Sequence, residues 1–515
     1  MKNLVSLQTG RVRALIAGAF AAALTLAACT EPVMTPPPPF PTSTPPTTSA
    51  SASAAPAALP DSIDNKPVLA APRAFESPKP EVVKLPNGMT LWLLERHTLP
   101  LVAVSLTVPS GSSSDPLGKE GLASITADML DEGAGARSAI EVSTALQDLG
   151  VSLRTGVTMD GSAFSLTVLK KNFGAAFNIL SDVIARPRFE EKEWKRVSDL
   201  WKNALLKRAD DPNTVARLVT QIAVYGRSHP YGHTTDGFMA SAGNVDLNAV
   251  KAFHAAHYRP ENMVLSVVGD ITKDEITRFV SDAFGAWKAS APAPEPTAFP
   301  APVRGPSIVL VDRPDAPQSV IAVVRDGIRL QDADAPYYEL VNTALGGSFT
   351  SRLNQNLRED HGWTYGAGSY FSETKRGGVF GARAAVETKF TEPALTEMLK
   401  ELRLMASKGL TEDELAKVKS QDRADLVQAY ETVGGVAGRF GTLSILGLPA
   451  SFDAVSSATR QSASLDGLKK IAAAVDPAKC TIIVVGPRKD VQGVLQKLGP
   501  VEHWDPEGNP VKVGN

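Results

Sequence analysis

Two short stretches of the chain hold side chains whose type and spacing could do chemistry. In "GLASITADML", residues 121–130, Ser124 and Asp128 stand four apart, on one face of a helix, and both offer oxygen to a cation. Two oxygens, one of them a neutral hydroxyl, are a poor shell for zinc, which draws on imidazole, thiolate and carboxylate in sets of three or four. In "LREDHGWTYGAGS", residues 357–369, Arg358 and Tyr365 supply a guanidinium and a phenol. Both are hydrogen-bond donors that stay protonated at neutral pH. The plainer alternative makes Arg358 a surface charge at a helix end and packs Tyr365 on the core. Just upstream, Gly346 and Gly347 in "LGGSFTSRL" either let the backbone approach a ligand or end a helix.

The other metal-capable residues read as structural. His229 and His233 in "HPYGH" are four apart, but Pro230 and Gly232 make the segment a loop. His254 and His257 in "HAAH" lie at a helix end with no Glu or Cys to complete a shell, and a surface or capping role suits them. Cys480, in "KCTIIVVG", reads as a small residue of a buried strand.

The elements that must position these residues occur twice. "VVKLPNGMTLWLLERHTLPLVAVSLTV" is strand, Asn-Gly turn, strand and a third strand; helices follow at 119–131 and 138–149. "VSLRTGVTMDGSAFSLTVL" is two strands about an Asp-Gly turn, followed by helical patterns at 171–185 and 189–208. After a Pro/Ala-rich stretch the order restarts at "SIVLVDRPDAPQSVIAVVRDGI". "PENMVLSVVGD" and "PAKCTIIVVGP" close the two copies in the same form. Thr411 followed by Glu414 marks a helix start by the capping-box pattern.

With 43% hydrophobic and 21% charged residues and a net charge of −2, the 515-residue chain suits a globular body of several domains. No global field draws it to nucleic acid. Residues 1–28 read as a secretory signal, with Lys2, Arg11 and Arg13 ahead of "ALIAGAFAAALTLAAC". Leu26-Ala27-Ala28-Cys29 is similar to the bacterial lipobox, in which the cysteine becomes the lipidated N-terminus. Thr30, in place of the aspartate that retains lipoproteins in the inner membrane, points to the outer membrane, facing the periplasm. Residues 29–77, rich in Pro, Ser, Thr and Ala, cannot bury a core and read as a disordered tether. The expected domains are 78–290 and 307–505, joined by a linker at 291–306 and followed by a tail at 506–515.

In order and spacing, "LPNGMTLWLLE", "EGLASITADMLDEGA", "HPYG", "HYRPENMVLSVVGDI", "LGGSFTSRLNQNLREDHGWTYGAGS" and "IIVVG" resemble the insulinase/pitrilysin family of zinc metallopeptidases, especially its mitochondrial processing peptidase branch. The resemblance covers about residues 80–500 and implies a duplicated α+β fold: two homologous units, each an antiparallel sheet with helices packed on one face. The family's first helix carries His-x-x-Glu-His, two zinc ligands flanking a general base, and a later helix adds a glutamate ligand. Laid on this chain, these positions fall on Ser124, Ala127, Asp128 and, through the following "DDP", Ala204. All four functional residues are lost. Arg358 and Tyr365 match the family's Arg/Tyr pair, which binds substrate backbone and oxyanion, and Gly346 and Gly347 fall where the branch has a glycine-rich substrate loop.

The resemblance thus implies a chain with no cofactor of its own, a non-catalytic subunit that pairs with a zinc-bearing homologue and acts on peptides only as a heterodimer. Two alternatives stand beside it. One is a pseudoenzyme scaffold or peptide-binding protein of the envelope without a proteolytic partner. The other is an active metallopeptidase with a rebuilt metal site.

Overall fold

The Asn87-Gly88 pair turns strand β1 (Glu81–Lys84) back on β2 (Thr90–Glu95), with Gly88 at the left-handed φ of 90° that such turns use. Strands β3 (Leu101–Val108), β4 (Arg154–Val157), β5 (Ser162–Leu169) and β6 (Val264–Gly269) complete a six-stranded sheet in the order β1-β2-β6-β3-β5-β4. A second sheet is built from β7 (Ile308–Asp312), β8 (Gln318–Asp326), β9 (Thr364–Phe371), β10 (Val379–Glu387), β11 (Thr481–Gly486) and β12 (Glu502–Trp504). Its order, β12-β7-β11-β8-β10-β9, repeats the first from β2 onward, so the duplication read from the sequence is a duplication of topology. Both sheets are antiparallel except where β2 meets β6 and β7 meets β11 and β12. Those parallel neighbours need long crossovers, which the helices provide.

This computed structural model describes residues 73–512, apart from 290, 293, 295–297, 303–307 and 373. The signal segment, Cys29 and most of the tether therefore lie outside the described residues. The described residues form one compact unit.

The first half carries α1 (Leu122–Asp128), α2 (Ala139–Asp148), α3 (Phe173–Ala185), α4 (Glu191–Arg208), α5 (Pro212–Tyr225), α6 (Met239–Ala242), α7 (Leu247–His257) and α8 (Lys273–Phe284). The second half carries α9 (Ala335–Asn342), α10 (Arg352–Asn354), α11 (Thr391–Lys408), α12 (Glu412–Ala429), α13 (Val433–Leu446), α14 (Phe452–Ser462), α15 (Leu465–Ala472) and α16 (Arg488–Gln496). Several starts are fixed by side chains: Ser138–Glu141, Thr272–Glu275 and Thr411–Glu414 are complete capping boxes.

Helices of each half pack on one face of its own sheet, as Phe177, Leu180 and Ile184 of α3 do against Phe164, Leu166 and Val168 of β5. The opposite face is covered by a helix from the other half. Val215, Leu218, Val219 and Ile222 of α5 lie on Val309, Val320, Ala322 and Ile483 of the second sheet. In return, Val436, Ala437 and Phe440 of α13 lie on Ala103 and Val268 of the first. Thr107 and Ser444 hydroxyls meet at 2.8 Å across that contact. Each large apolar side chain so buried stabilises by about 1.5–3 kcal/mol, so the exchange binds the halves into one core.

Two segments assigned to spacers by composition, and the tail, hold packed residues. Phe75 sits 5.3 Å from the Tyr430 ring, and the Ser77 hydroxyl accepts from the Ala454 amide at 3.0 Å. Phe299 stacks edge-on against Tyr231 at 5.1 Å. In the tail, Glu507 accepts from Arg208 at 2.7 Å. Aromatic and charged residues inside Pro-rich sequence found partners that composition does not register.

Candidate functional site

Helix α1 begins at Gly121, whose φ of 99° lets the chain turn sharply into it. The Asp115 carboxylate caps that start, accepting from the amides of Gly121 and Ala123 at 2.7 Å each. Glu120, buried beside it, takes a short hydrogen bond from Ser241. The helix is thus rigidly placed, and it lies against α4, α7 and the edge strand β4. The face that carries Ser124 and Asp128 makes ordinary structural contacts. Ser124 Oγ donates to the carbonyl of Thr235 at 2.7 Å. Ala127 is buried in the core. Asp128 reaches water, yet partial burial, followed by the charges of Asp131 and Glu132, raises its pKa to about 6. Ala204 lies exposed on α4, one turn from the exposed Leu200.

This donor set does not fit zinc. Two of the four positions have no ligating atom, and the Ser124 hydroxyl is spent on a backbone carbonyl. No group of three or more His, Cys, Asp or Glu able to hold a metal occurs among the described residues.

The loop that receives the Ser124 hydroxyl is clamped from below. Trp201 Nε1 donates to Asp236 O at 3.0 Å. Arg208, whose side chain is only 2% exposed, reaches Asp236 at 3.1 Å, Gly237 O at 2.6 Å and Glu507 at 2.7 Å. Sequence reasoning passed over Arg208 and Glu507. A signal existed: Trp201, Leu205 and Arg208 stand at i, i+4 and i+7, which puts a guanidinium on an apolar helix stripe.

The four histidines of "HPYGH" and "HAAH" are each engaged. His229 meets Pro300 O at 3.1 Å, and His233 meets Thr234 O at 2.9 Å. His254 meets Ile184 O at 2.8 Å, and His257 meets Ser110 Oγ at 2.5 Å. Burial lowers the pKa of all four, that of His257 to about 4. His254 and His257 are half-buried rather than on the surface, which corrects that expectation. Cys480 immediately precedes β11, half-buried against the second core, with its thiol pushed up to about 12 by burial.

In the second half, Tyr365 opens β9, the edge strand of its sheet, and is 92% exposed. The packed-core alternative for it is therefore wrong. Arg358 lies on the wide π-type turn Gln355–Asp360 packed beside β9. It is exposed, 4.7 Å above the exposed Phe349 ring, and paired only with neighbouring Glu359 at 3.2 Å. Gly346 and Gly347 end α9 in a second π-type turn, Thr343–Gly347. A Cβ on Gly346 would stand 2.2 Å from the Ser369 amide nitrogen. Close approach to β9 thus explains this glycine.

Comparison with known proteins agrees with this architecture. Residues 92–226 match the family described as insulinase (peptidase family M16), and residues 244–421 match the family described as peptidase M16 inactive domain. An uncharacterized zinc protease of Streptomyces coelicolor is 25% identical over 422 residues, 78% of this chain and 91% of that protein. An uncharacterized zinc protease of Bacillus subtilis is 24% identical over 365 residues, 70% and 87% of the two chains. The crystal structure of a peptidase M16 inactive domain from Pseudomonas fluorescens superposes with a TM-score of 0.73 at 24% identity, covering 79% of this chain and 98% of that one. A protease from Helicobacter pylori gives 0.71 at 20% identity, covering 80% and 100%. The chain carries the duplicated fold of a metallopeptidase class. It belongs to the insulinase family, peptidase family M16.

Proposed function

We propose that this chain is a non-catalytic subunit of a two-chain metallopeptidase, lending Arg358 and Tyr365 to a zinc-bearing homologue that acts on peptides. One contrast carries the reading. The zinc-motif positions are filled by Ser124, Ala127, Asp128 and Ala204, which supply neither the zinc shell nor the general base, while Tyr365 stands 92% exposed on an edge strand. Burial normally claims a tyrosine ring, so leaving one in water favours a role in contact. A guanidinium and a phenol there can donate to the carbonyl oxygen of a peptide held in the partner's site. The wide turns that carry Arg358 and the glycine pair fit the same role, since such turns recur at functional sites.

The reading extends to place. Lipidation at Cys29 anchors the chain to the outer membrane from the periplasmic side, and the Pro-rich segment spaces the folded body from the bilayer.

The experiment is co-expression with a homologue that retains His-x-x-Glu-His, followed by sedimentation and a peptide-cleavage assay. A one-to-one complex that cleaves, with neither chain active alone, supports the proposal. A chain that stays monomeric beside such homologues favours the scaffold reading instead.

A further inference from the structure

A cleft of about 770 Å³ opens between the two halves. Its floor is the strip of the second sheet that runs out from under α5: Val320 and Ala322 on β8, where the helix packs, then Gly381 and Arg383 on β10, and Gly368 and Tyr370 on β9. In register, Gly381 stands beside Tyr370 and Arg383 beside Gly368. A Cβ on Gly381 would come within 2.7 Å of the Tyr370 ring, so glycine is what lets the ring lie across the neighbouring strand. Gly368 leaves Arg383 without a side chain beside it. Two missing side chains therefore hollow the floor.

The facing wall is the polar stripe of α5, where Asn213, Arg217, Thr220 and Gln221 follow helical spacing. Thr235 and Asp236, the loop that Ser124 holds, also line the cleft. The charges do not cancel. Arg217 and Arg383 come from the two halves, both exposed, and among the described residues neither has a carboxylate partner. Arg217 donates only to the Thr214 hydroxyl, at 2.9 Å. The lining carboxylate, Asp236, is held by Arg208 at 3.1 Å. Burial raises the pKa of the Tyr370 phenol, and the charges of Arg383 and Arg217 both pull it back down.

We infer that this cleft selects peptide segments bearing an acidic side chain, whose carboxylate is held by Arg217 and Arg383. Planar guanidiniums bind carboxylates through paired hydrogen bonds, and amide and hydroxyl groups on α5 suit a peptide backbone. The inference rests on the peptide-binding half of the proposed function and not on the pairing with a zinc-bearing subunit.

The test therefore needs this chain alone. The full-length protein is titrated into a fluorescent ten-residue peptide with central glutamates, amidated at its C-terminus, and into the same peptide with glutamines. Amidation ensures that any carboxylate read is a side chain's. We expect the glutamate peptide to bind about tenfold tighter, with the preference shrinking as salt rises. The R217Q/R383Q protein should lose that preference without a change in circular dichroism. Equal binding of the two peptides, binding of neither, or a preference untouched by R217Q/R383Q overturns the inference. The peptide contrast and its salt dependence need no variant, so the test survives a variant that fails to fold. A missing zinc-bearing partner would leave this result unchanged.

Discussion

Glu507→Ala tests whether the segment around Glu507 locks the loop beside α1. The Arg208 side chain is 2% exposed and makes two ion pairs, to Asp236 and to Glu507. Removing Glu507 leaves Nη2 without its 2.7 Å acceptor. A hydrogen bond to a charged group contributes about 1.5–3 kcal/mol. Glu507 is 27% exposed, so water recovers part of the loss, and about 2 kcal/mol remains. With about 2.1 cal/mol/K per residue over roughly 440 folded residues, that lowers Tm by about 2 °C. The local effect should be larger: a 2 kcal/mol loss confined to the loop speeds exchange of its amides by about 30-fold. The readouts are calorimetry and hydrogen exchange at Thr235–Gly237. Glu392→Ala is the control, because its 2.7 Å pair with Lys497 is exposed on both sides and contributes under about 1 kcal/mol. If Glu507→Ala costs no more than Glu392→Ala and leaves loop exchange unchanged, the clamp has no such role.

Three further outcomes follow from the site. Asp128 has a folded pKa near 6, above its ordinary value, so the fold is disfavoured by its charge above pH 6 and free of that cost below about pH 4. Asp128→Asn should therefore raise the unfolding free energy at pH 8 and not at pH 4, by about 1 kcal/mol or less since the carboxylate is partly in water; equal changes at both pH values would refute this. Gly346→Ala puts a Cβ against the β9 backbone and should cost about 2 kcal/mol or more in urea unfolding, whereas a change under about 0.5 kcal/mol would mean the turn yields freely. Neither zinc nor a chelator should move the Tm of the isolated chain; a zinc-dependent rise that chelator reverses would reveal a metal shell after all.

The duplicated topology was legible because it lives in local pattern. "PENMVLSVVGD" and "PAKCTIIVVGP" became β6 and β11, the central strands of their sheets. The exchange of α5 and α13 was not legible. Their apolar stripes say that something is buried, and nothing in the spacing says against which sheet. Packing of Phe75, Phe299 and Glu507 escaped for a related reason, since a single anchoring residue in a Pro-rich or terminal stretch leaves no period to read. At the site, laying the family's zinc motif on Ser124, Ala127, Asp128 and Ala204 needed only the motif's spacing. The exposure of Tyr365 needed the fold, because an aromatic in an alternating strand reads as buried or exposed depending on register alone.

The account turns on whether Arg358 and Tyr365 act in another chain's site. The most direct measurement is kcat/KM for peptide cleavage by the complex with a zinc-bearing homologue, compared with complexes carrying Arg358→Ala or Tyr365→Phe. Both side chains are exposed, so the complexes should assemble with unchanged Tm. Each substitution should lower kcat/KM by about 10²–10³, the cost of losing one oxyanion donor. Cleavage that is indifferent to both substitutions, or chelator-sensitive cleavage by this chain alone, would contradict it.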